Sequence, residues 1–324
     1  MGEVSEISWT HATFNPWIGC TKVSPACDHC YAERGAARLG AQHGLKLWDG
    51  DRHYTGVDYW KQPHRWNRAA EKAGERRRVF CASFADVFED RKGLNVPRAR
   101  LFQIIEETPW LDWLLLTKRP ENMAAMAPRA WAKAWPANVW AGTTAENDEW
   151  AEKRVPYLLE VPARVRFLNA EPLLGPIHCW AYLAGPIREQ ALAALGARPL
   201  PGLDWIIVGG ESGPGARPMH PQWVRDLRKD CITLGVPFHF KQWGEWGPRR
   251  QMRPDVPCPH NDGWGALEID GSFCPTATCW NGHDDDSKNA GAMMYRVGKK
   301  VSGRLLDGRE WNEFPVPRKS RTSQ

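Results

Sequence analysis

The chain has 324 residues, enough for one large α/β domain or two ordinary ones, and its 42% hydrophobic and 25% charged residues are typical of a globular protein. This composition excludes a disordered chain, and no run approaches the roughly 20 apolar residues that span a bilayer, so we expect no membrane partner. The formal net charge of +5 permits a nucleic-acid or phosphate partner without requiring one.

The first six residues contain no basic segment followed by an apolar run, so we predict no signal peptide and a cytoplasmic protein. In that compartment, clustered cysteines are more often metal ligands than disulfides, and this chain has nine cysteines. The 19 tryptophans are interpreted either as packing residues or as stacking platforms for bases or a flat cofactor.

A short aromatic and β-branched segment, at about 7–17, leads directly into a loop with three cysteines. Cys20, Cys27 and Cys30 are separated by six residues and then by two. Three thiolates in one loop indicate a metal centre: either a distant residue completes a closed zinc site, or an iron–sulfur centre keeps one iron open. Thioredoxin-like chemistry at Cys27 and Cys30 is a third interpretation, which gives Cys20 no role.

After the cysteine loop the pattern becomes helical, and the polar, aromatic and basic stretch 43–78 is predicted to be loop plus helix. From Val79 onwards, short apolar runs alternate with spacers of helix length. The runs start at 79, 113, 139, 165, 205 and 238, and helices are predicted at about 97–108, 120–135, 148–160 and 221–234. This alternation predicts parallel strands joined by right-handed crossovers. We expect an α/β fold, a partial or complete TIM-like (β/α) barrel of about six to eight units, with a doubly wound open sheet as the second choice.

The predicted barrel domain covers 1–246 and carries an inserted helix in a loop at 175–202. Residues 247–324 are predicted to form an irregular, cysteine-containing region and a C-terminal tail. The ordered part of that tail, 297–315, is expected to cap the barrel or to close over a substrate.

A second group of potential ligands lies in the irregular region. It consists of Cys258, His260, Cys274, Cys279 and His283. Folding that brings them together would make a zinc site or an auxiliary iron–sulfur site, and the alternative is a loop with ordinary thiols. The other cysteines, Cys81, Cys179 and Cys231, lie in or near apolar runs and are expected to be packing residues.

Polar residues follow the apolar runs, at the end of the strands where barrel-type enzymes place their chemistry. They are Ser83, Asp86, Lys118, Glu146, Asn169, Glu171 and Lys241. Lys118 and the neighbouring Arg119 suit a cofactor carboxylate or a substrate phosphate. In the turn at 209–211, two glycines would let a ligand approach the backbone, and Glu211 would accept hydrogen bonds from an amine or a ribose. The alternative there is a tight turn with a solvated glutamate.

Four motifs together resemble a phage-associated, three-cysteine, radical-SAM-like family of unknown function, and more broadly the radical S-adenosylmethionine (SAM) superfamily. The motifs are Asn15-Pro16-Trp17-Ile18-Gly19-Cys20, Cys27-Asp28-His29-Cys30-Tyr31-Ala32, Gly209-Gly210-Glu211-Ser212 and Gly303-Arg304-Leu305-Leu306-Asp307-Gly308-Arg309. The resemblance covers nearly the whole chain, from about 7 to 315. The superfamily's usual spacing has three residues and then two between the cysteines, so the first gap differs here.

The resemblance implies that Cys20, Cys27 and Cys30 hold a [4Fe–4S] cluster and that SAM chelates the fourth iron. Reduction would then cleave SAM and release a 5′-deoxyadenosyl radical, which abstracts a hydrogen atom from a substrate. The residues expected to contact the cofactor are His29, Tyr31, Ser83, Asp86, Lys118, Glu171, Gly209, Gly210 and Glu211.

The expected substrate is a nucleic acid or a nucleotide, because of the basic balance, the basic aromatic stretch 48–78 and the phage association of the family. A co-encoded partner protein is also expected. One rival hypothesis is a non-catalytic zinc-binding module that grips nucleic acid or another protein. Another is a nuclease or hydrolase that uses the carboxylates at the strand ends, although no carboxylate pair or histidine-rich metal motif stands out.

Overall fold

The structure is a computed structural model that describes residues 5–195, 201–248, 263–274 and 291–316. Its centre is a sheet of seven parallel strands. They are β1 (Ala12–Thr13), β4 (Arg77–Cys81), β5 (Leu111–Thr117), β6 (Val139–Thr144), β7 (Val165–Ala170), β8 (Trp205–Gly209) and β9 (Phe238–Gln242), and each pairs with the next in this order. The sheet curls into a half-barrel, and a short ribbon of β2 (Trp17–Ile18) and β3 (His53–Tyr54) follows β1. The fold is therefore mixed α/β, as predicted, while a full TIM barrel stays a prediction.

Helices connect the strands of the half-barrel. In the described ranges they are α1 (Tyr31–His43), α2 (Gln62–Ala73), α3 (Asn95–Glu107), α4 (Met123–Met126), α5 (Asp148–Glu160), α6 (Pro186–Ala194), α7 (Pro221–Leu234) and α8 (Lys299–Ser302). The side chain of Asn147 accepts a hydrogen bond from the backbone N–H of Trp150 and so caps the amino end of α5. Gly235 ends α7 in the left-handed conformation that glycine adopts without strain.

The predicted helices at 148–160 and 221–234 have the bounds of α5 and α7, and the inserted helix predicted within 175–202 is α6. The helix predicted at 120–135 is wrong, because only α4 and short 3-10 turns form there. Ala127 is extended, at φ −67° and ψ 152°, and it precedes Pro128. A proline clashes with a helical conformation of the residue before it, so the helix stops at this point.

Aromatic side chains fill the concave face of the half-barrel. Trp9, Phe80, Trp140, Phe167 and Trp205 form most of this inner layer, and the rings of Trp9 and Phe80 lie 4.7 Å apart between centroids. A larger core lies between the convex face and the helices, and it contains the buried thiols of Cys81, Cys179 and Cys231, which confirms them as packing residues. Most of the buried tryptophans thus serve as packing residues.

The C-terminal segment lies along β9. The backbone N–H of Phe240 donates to the Trp311 carbonyl oxygen at 3.0 Å, and the ring of Phe314 packs 5.3 Å from that of Trp205. The guanidinium of Arg78 lies 3.9 Å from the Phe314 ring centroid. Because Arg78 and Trp205 stand near the amino ends of their strands, this part of the tail caps the amino-terminal end of the half-barrel.

The extension predicted as irregular forms a second, antiparallel sheet in its described residues. Its strands are β10 (Trp246–Pro248), β13 (Ala292–Arg296), β11 (Trp264–Leu267) and β12 (Phe273–Cys274), in that order across the sheet. The predicted domain boundary at 246/247 falls inside β10. In the described part of the chain, no helix is long and apolar enough to cross a membrane.

Of the second group of potential ligands, Cys258, His260, Cys279 and His283 lie outside the described residues. Cys274 is disulfide-bonded. A disulfide sulfur is not a thiolate, so Cys274 does not ligate a metal while that bond is intact. The second metal site stays a prediction.

Candidate functional site

A cavity opens at the carboxyl ends of the parallel strands, above the inner aromatic layer. Most of the residues predicted at the strand ends and in the cysteine loop line it. They are Cys20, Cys27, His29, Cys30, Tyr31, Ser83, Asp86, Lys118, Arg119, Asn169, Glu171, Gly210, Glu211 and Lys241. Gly209 and Glu146 do not line the cavity but contact residues that do. The alternation of strands and helices therefore brings residues from six segments to one place.

The β2–β3 ribbon and the start of α1 position the three cysteines. Cys20 follows β2, and its backbone N–H donates to the Leu47 carbonyl oxygen at 3.2 Å. Gly19, just before it, has φ +118°, and a Cβ there would lie 2.6 Å from the same carbonyl oxygen, so no other residue fits. Cys27 ends a 3-10 turn and Cys30 is the N-cap of α1.

Two ion pairs hold the cysteine loop against the half-barrel. Glu146, fully buried after β6, accepts from the Ala26 backbone N–H at 3.2 Å and from Arg154 Nη1 at 3.0 Å. Arg217 Nη2 donates to the Pro25 carbonyl oxygen at 2.8 Å and to Glu211 Oε1 at 2.6 Å. For Glu146 the sequence left ligand contact and structural hydrogen bonding open, and Glu211 was predicted to meet a ligand or solvent. Here both glutamates fix the backbone between Cys20 and Cys27.

Asp86 is saturated by protein donors. Its carboxylate accepts from Thr117 Oγ1 at 2.6 Å, the Lys118 backbone N–H at 3.1 Å and Arg119 Nη1 at 2.9 Å. The same Arg119 nitrogen lies 3.8 Å from Cys20 Sγ. Burial, with the Asp86 charge adding to it, raises the pKa of the Cys20 thiol to about 12, against the opposing effect of Arg119. Asp86 therefore acts on Cys20 in two ways: its charge helps to raise the pKa of the thiol, and it positions Arg119 beside the sulfur.

Lys118 differs from its neighbour because its ammonium has no hydrogen-bond or ion-pair partner among the described residues. Burial disfavours its charge, but Cys27 and Cys30, when they are thiolates, and Glu146 outweigh burial and raise the pKa of Lys118. A charged amine without a partner therefore faces two of the three cysteines.

A second pair of charges forms the wall contributed by β7 and β9. Lys241 Nζ lies 2.6 and 2.8 Å from the two carboxylate oxygens of Glu171. Beside this pair, Asn169 is 4% exposed, and its Oδ1 has no hydrogen-bond partner in the described structure. A buried amide oxygen without a donor is costly, so this atom offers a ligand an acceptor.

The two glycines at the end of β8 lie close against other protein atoms. A Cβ on Gly210 would lie 1.9 Å from the Trp243 carbonyl oxygen, and one on Gly209 would lie 3.1 Å from the Glu171 carboxylate. Close packing of the turn is therefore enough to require glycine at both positions, while Gly210 also lines the cavity. Tyr31 is also held by the protein, because its hydroxyl donates to the Ser83 carbonyl oxygen at 3.0 Å and burial raises its pKa.

One buried pair near the site was missed in the sequence. Arg52 Nε donates to Glu89 Oε2 at 2.8 Å, and Arg52 Nη2 donates to Thr21 Oγ1 at 2.8 Å. Both charged side chains are nearly inaccessible, at 2% and 6% exposure. In the sequence, Arg52 and Glu89 are two charged residues in polar stretches. Nothing in their local sequence indicates that residues 37 positions apart form an ion pair.

The three thiols line one cavity but do not converge on a point. Across the described ranges, no three His, Cys, Asp or Glu side chains form a group that could hold a metal ion. A single tetrahedral zinc ion at about 2.3 Å from each sulfur would require such convergence. A four-iron cluster separates its thiolates further, because each sulfur binds a different iron.

The comparison with protein families gives one match. The model of the family described as "Protein of unknown function (DUF5131)" matches residues 4–315. Neither the curated proteins nor the solved structures contain a significant match to the chain.

Proposed function

The chain belongs to the DUF5131 family, whose description assigns no activity, and we propose that it is an iron–sulfur enzyme of the radical SAM type. The observation that carries the proposal is that Cys20, Cys27 and Cys30, from one loop, line a single cavity at the carboxyl ends of a curled parallel sheet. Cys20, Cys27 and Cys30 would hold a [4Fe–4S] cluster there; once reduced by an external one-electron donor, it would supply the electron that splits SAM into methionine and a 5′-deoxyadenosyl radical.

The donor set fits such a cluster. Three thiolates account for three irons and leave the fourth open to a small ligand. All three cysteines line the same cavity, so one cofactor bound there would be in reach of each of them. Asn169 Oδ1, buried without a partner, adds an acceptor for the amine or hydroxyl of a ligand in the same cavity.

The charges around the cavity support thiolate ligation. Arg119 points a guanidinium nitrogen at Cys20, and Lys118 places an ammonium near Cys27 and Cys30. Because the pKa of Cys20 is about 12, this thiol holds its proton at neutral pH until a metal displaces it. The protein therefore carries positive charge where three thiolates would bring negative charge.

The residues predicted to contact SAM take different roles in this proposal. His29, Tyr31 and Ser83 border the cavity next to the cysteines and would contact the cofactor. Asp86 and Glu211 act through Arg119 and Arg217 and are positioning residues. Glu171 and Lys241 form the opposite wall, where the substrate would meet them; a nucleic acid or nucleotide is proposed as that substrate on the strength of the net charge of +5.

The first test is metal content. Protein purified without oxygen should contain about four irons per chain and absorb near 400 nm, as expected of a four-iron cluster. Cys27→Ala should lose both signals, whereas Cys231→Ala, in the core under α7, should keep them. Zinc in place of iron in the native protein would contradict the proposal.

The second test is SAM cleavage. With SAM and a strong reductant, the loaded protein should form 5′-deoxyadenosine, detected by mass spectrometry. A protein with a full complement of iron that forms none under these conditions would disprove the radical chemistry while leaving the cluster intact.

A further inference from the structure

A second cleft lies beside the cysteine cavity. The two share a wall made of Thr21, Val23, Lys118 and Arg119. Across the cleft stands one face of α5, which contributes Trp150, Lys153, Arg154 and Tyr157. A ligand bound in this cleft would therefore contact side chains that also line the cysteine cavity.

Arg154 is buried at the base of this cleft with a spare donor. It is 2% exposed, and its Nη1 donates to the Thr144 carbonyl oxygen at 2.9 Å and to Glu146 at 3.0 Å. Its Nη2 has no hydrogen-bond partner in the described structure. The guanidinium carbon lies 4.3 Å from the ring centroid of Trp150, which holds the group in place.

Lys118 brings a second cation to the same place. Its ammonium has no partner among the described residues, and Lys118 lines the same cleft as Arg154. Two like charges that both keep unused donors at the inner end of one cleft are unfavourable by themselves. An anion with several acceptor oxygens between them would satisfy both.

Glu146 pairs with Arg154 through Nη1, but in the described structure no acidic residue of the cleft pairs with Lys118 Nζ or with Arg154 Nη2. Glu89 is neutralised by Arg52, to which it is bound through both carboxylate oxygens. Asp90 and Glu121 are exposed at the rim, where water screens them. Arg119 is itself paired with Asp86. Lys118 and Arg154 are thus the cations that face the inner end of the cleft.

We propose that this cleft binds a phosphoryl group of the substrate, with Lys118 Nζ and Arg154 Nη2 donating to its oxygens. Tyr157, 48% exposed, lies in the same lining and offers an aromatic face to the attached base. The proposal rests on the proposed function only for the choice of a nucleotide as the substrate class. Binding itself requires neither iron nor SAM.

The test measures binding to the full-length, iron-free protein. A fluorescent single-stranded oligonucleotide of 12 nucleotides is titrated by anisotropy at several salt concentrations, with AMP and inorganic phosphate as competitors. Lys118→Gln should weaken binding about tenfold and make the salt dependence shallower by about 0.7, the value for one phosphate contact on a single strand. Lys229→Gln, an exposed lysine on α7, is the matched control and should change neither.

Two further variants keep the test independent of the stability of Lys118→Gln. Lys153→Gln, on the exposed part of the same α5 face, should also make the salt dependence shallower. Tyr157→Ala should weaken binding by a few fold without changing the salt dependence, because it removes a base contact and no charge.

The competitors identify the source of the phosphoryl group. If AMP or phosphate displaces the oligonucleotide from the native protein but not from Lys118→Gln, the site binds a small phosphorylated ligand. If the protein binds the oligonucleotide and neither competitor displaces it, the site binds a polynucleotide. Failure to bind all three, or binding that Lys118→Gln leaves unchanged, overturns the proposal. Iron content and 5′-deoxyadenosine formation are measured separately, so failure here leaves the proposed chemistry standing.

Discussion

Arg217 and Glu211 form a bidentate ion pair, in which Nε and Nη2 of the arginine lie 2.9 and 2.6 Å from the two carboxylate oxygens. The same Nη2 donates to the Pro25 carbonyl oxygen at 2.8 Å. One guanidinium therefore ties the turn after β8 to the cysteine loop, 192 residues away in sequence. The pair links the geometry of the thiols to the far side of the half-barrel.

Arg217→Gln should loosen the cysteine loop. The substitution leaves the buried carboxylate of Glu211 without its partner, which we expect to destabilise the fold by about 2 kcal/mol because the arginine itself is partly exposed. Hydrogen exchange of the amides at 24–30 should become faster, and iron retention should fall. Arg38→Gln, on an exposed position of α1, is the control. Unchanged exchange at 24–30 would show that Glu146 holds the loop alone.

The Arg52–Glu89 pair should couple strongly. Removing one partner leaves a charge buried at 6% exposure or less, so Arg52→Met and Glu89→Leu should each cost about 3–5 kcal/mol of unfolding free energy. The double variant should recover much of that loss, because no charge is then left unpaired. Urea denaturation of the four proteins measures the coupling. Additive losses would mean that the two charges act independently.

Cys20 should resist alkylation in the iron-free protein. With its pKa raised from 9.0 to about 12, the thiolate fraction at pH 8 is about a thousandfold lower than for an ordinary cysteine. Iodoacetamide labelling followed by peptide mass spectrometry should therefore modify Cys20 slowly in the folded protein and quickly in urea. Labelling of folded Cys20 within tenfold of the unfolded rate would contradict the raised pKa.

His239 should make the fold sensitive to acid. The side chain is fully buried, and burial, with help from Arg304, Lys241 and Arg78, lowers its pKa to about 3. Between pH 6.5 and 3 the unfolded chain binds a proton that the folded protein does not. The contribution of His239 to stability is thus complete above pH 6.5 and is lost as the pH falls towards 3, by about 1.4 kcal/mol per pH unit.

The measurement is the pH dependence of the unfolding free energy. His239→Phe removes the titrating group, so the dependence between pH 6 and 4 should become shallower by about one proton. If the unfolding free energy of His239→Phe depends on pH as steeply as that of the native protein, groups other than His239 cause the acid sensitivity.

The sequence predicted the strands of the half-barrel and the edge where the site forms, because buried parallel strands have continuous apolar runs and their carboxyl ends share one rim. It also predicted α5 with its bounds, because a spacer of helix length separates the apolar runs that start at 139 and 165. What it did not predict were the partners. Glu211 was predicted to accept hydrogen bonds from a ligand, whereas in the structure it is paired with Arg217.

Two other errors concern secondary structure. The segment 120–135 has helical composition, but Pro128 ends the helix after one turn. The described part of the extension has too little periodicity to show strands, yet β13 pairs there with β11 and with β10, whose Trp246 is 50 positions from its partner Arg296. Pairing partners that distant have no local signature.

The half-barrel is bounded by contacts between distant parts of the chain. Ser8 meets His239 across 231 positions, and the segment at 311–314 lies along the outer edge of β9. Each such contact must await diffusion of a long intervening segment, so folding of this chain should be slow for its size. During synthesis, the strand order is complete only once β9 has left the ribosome, and the inner aromatic layer stays open to chaperones until then.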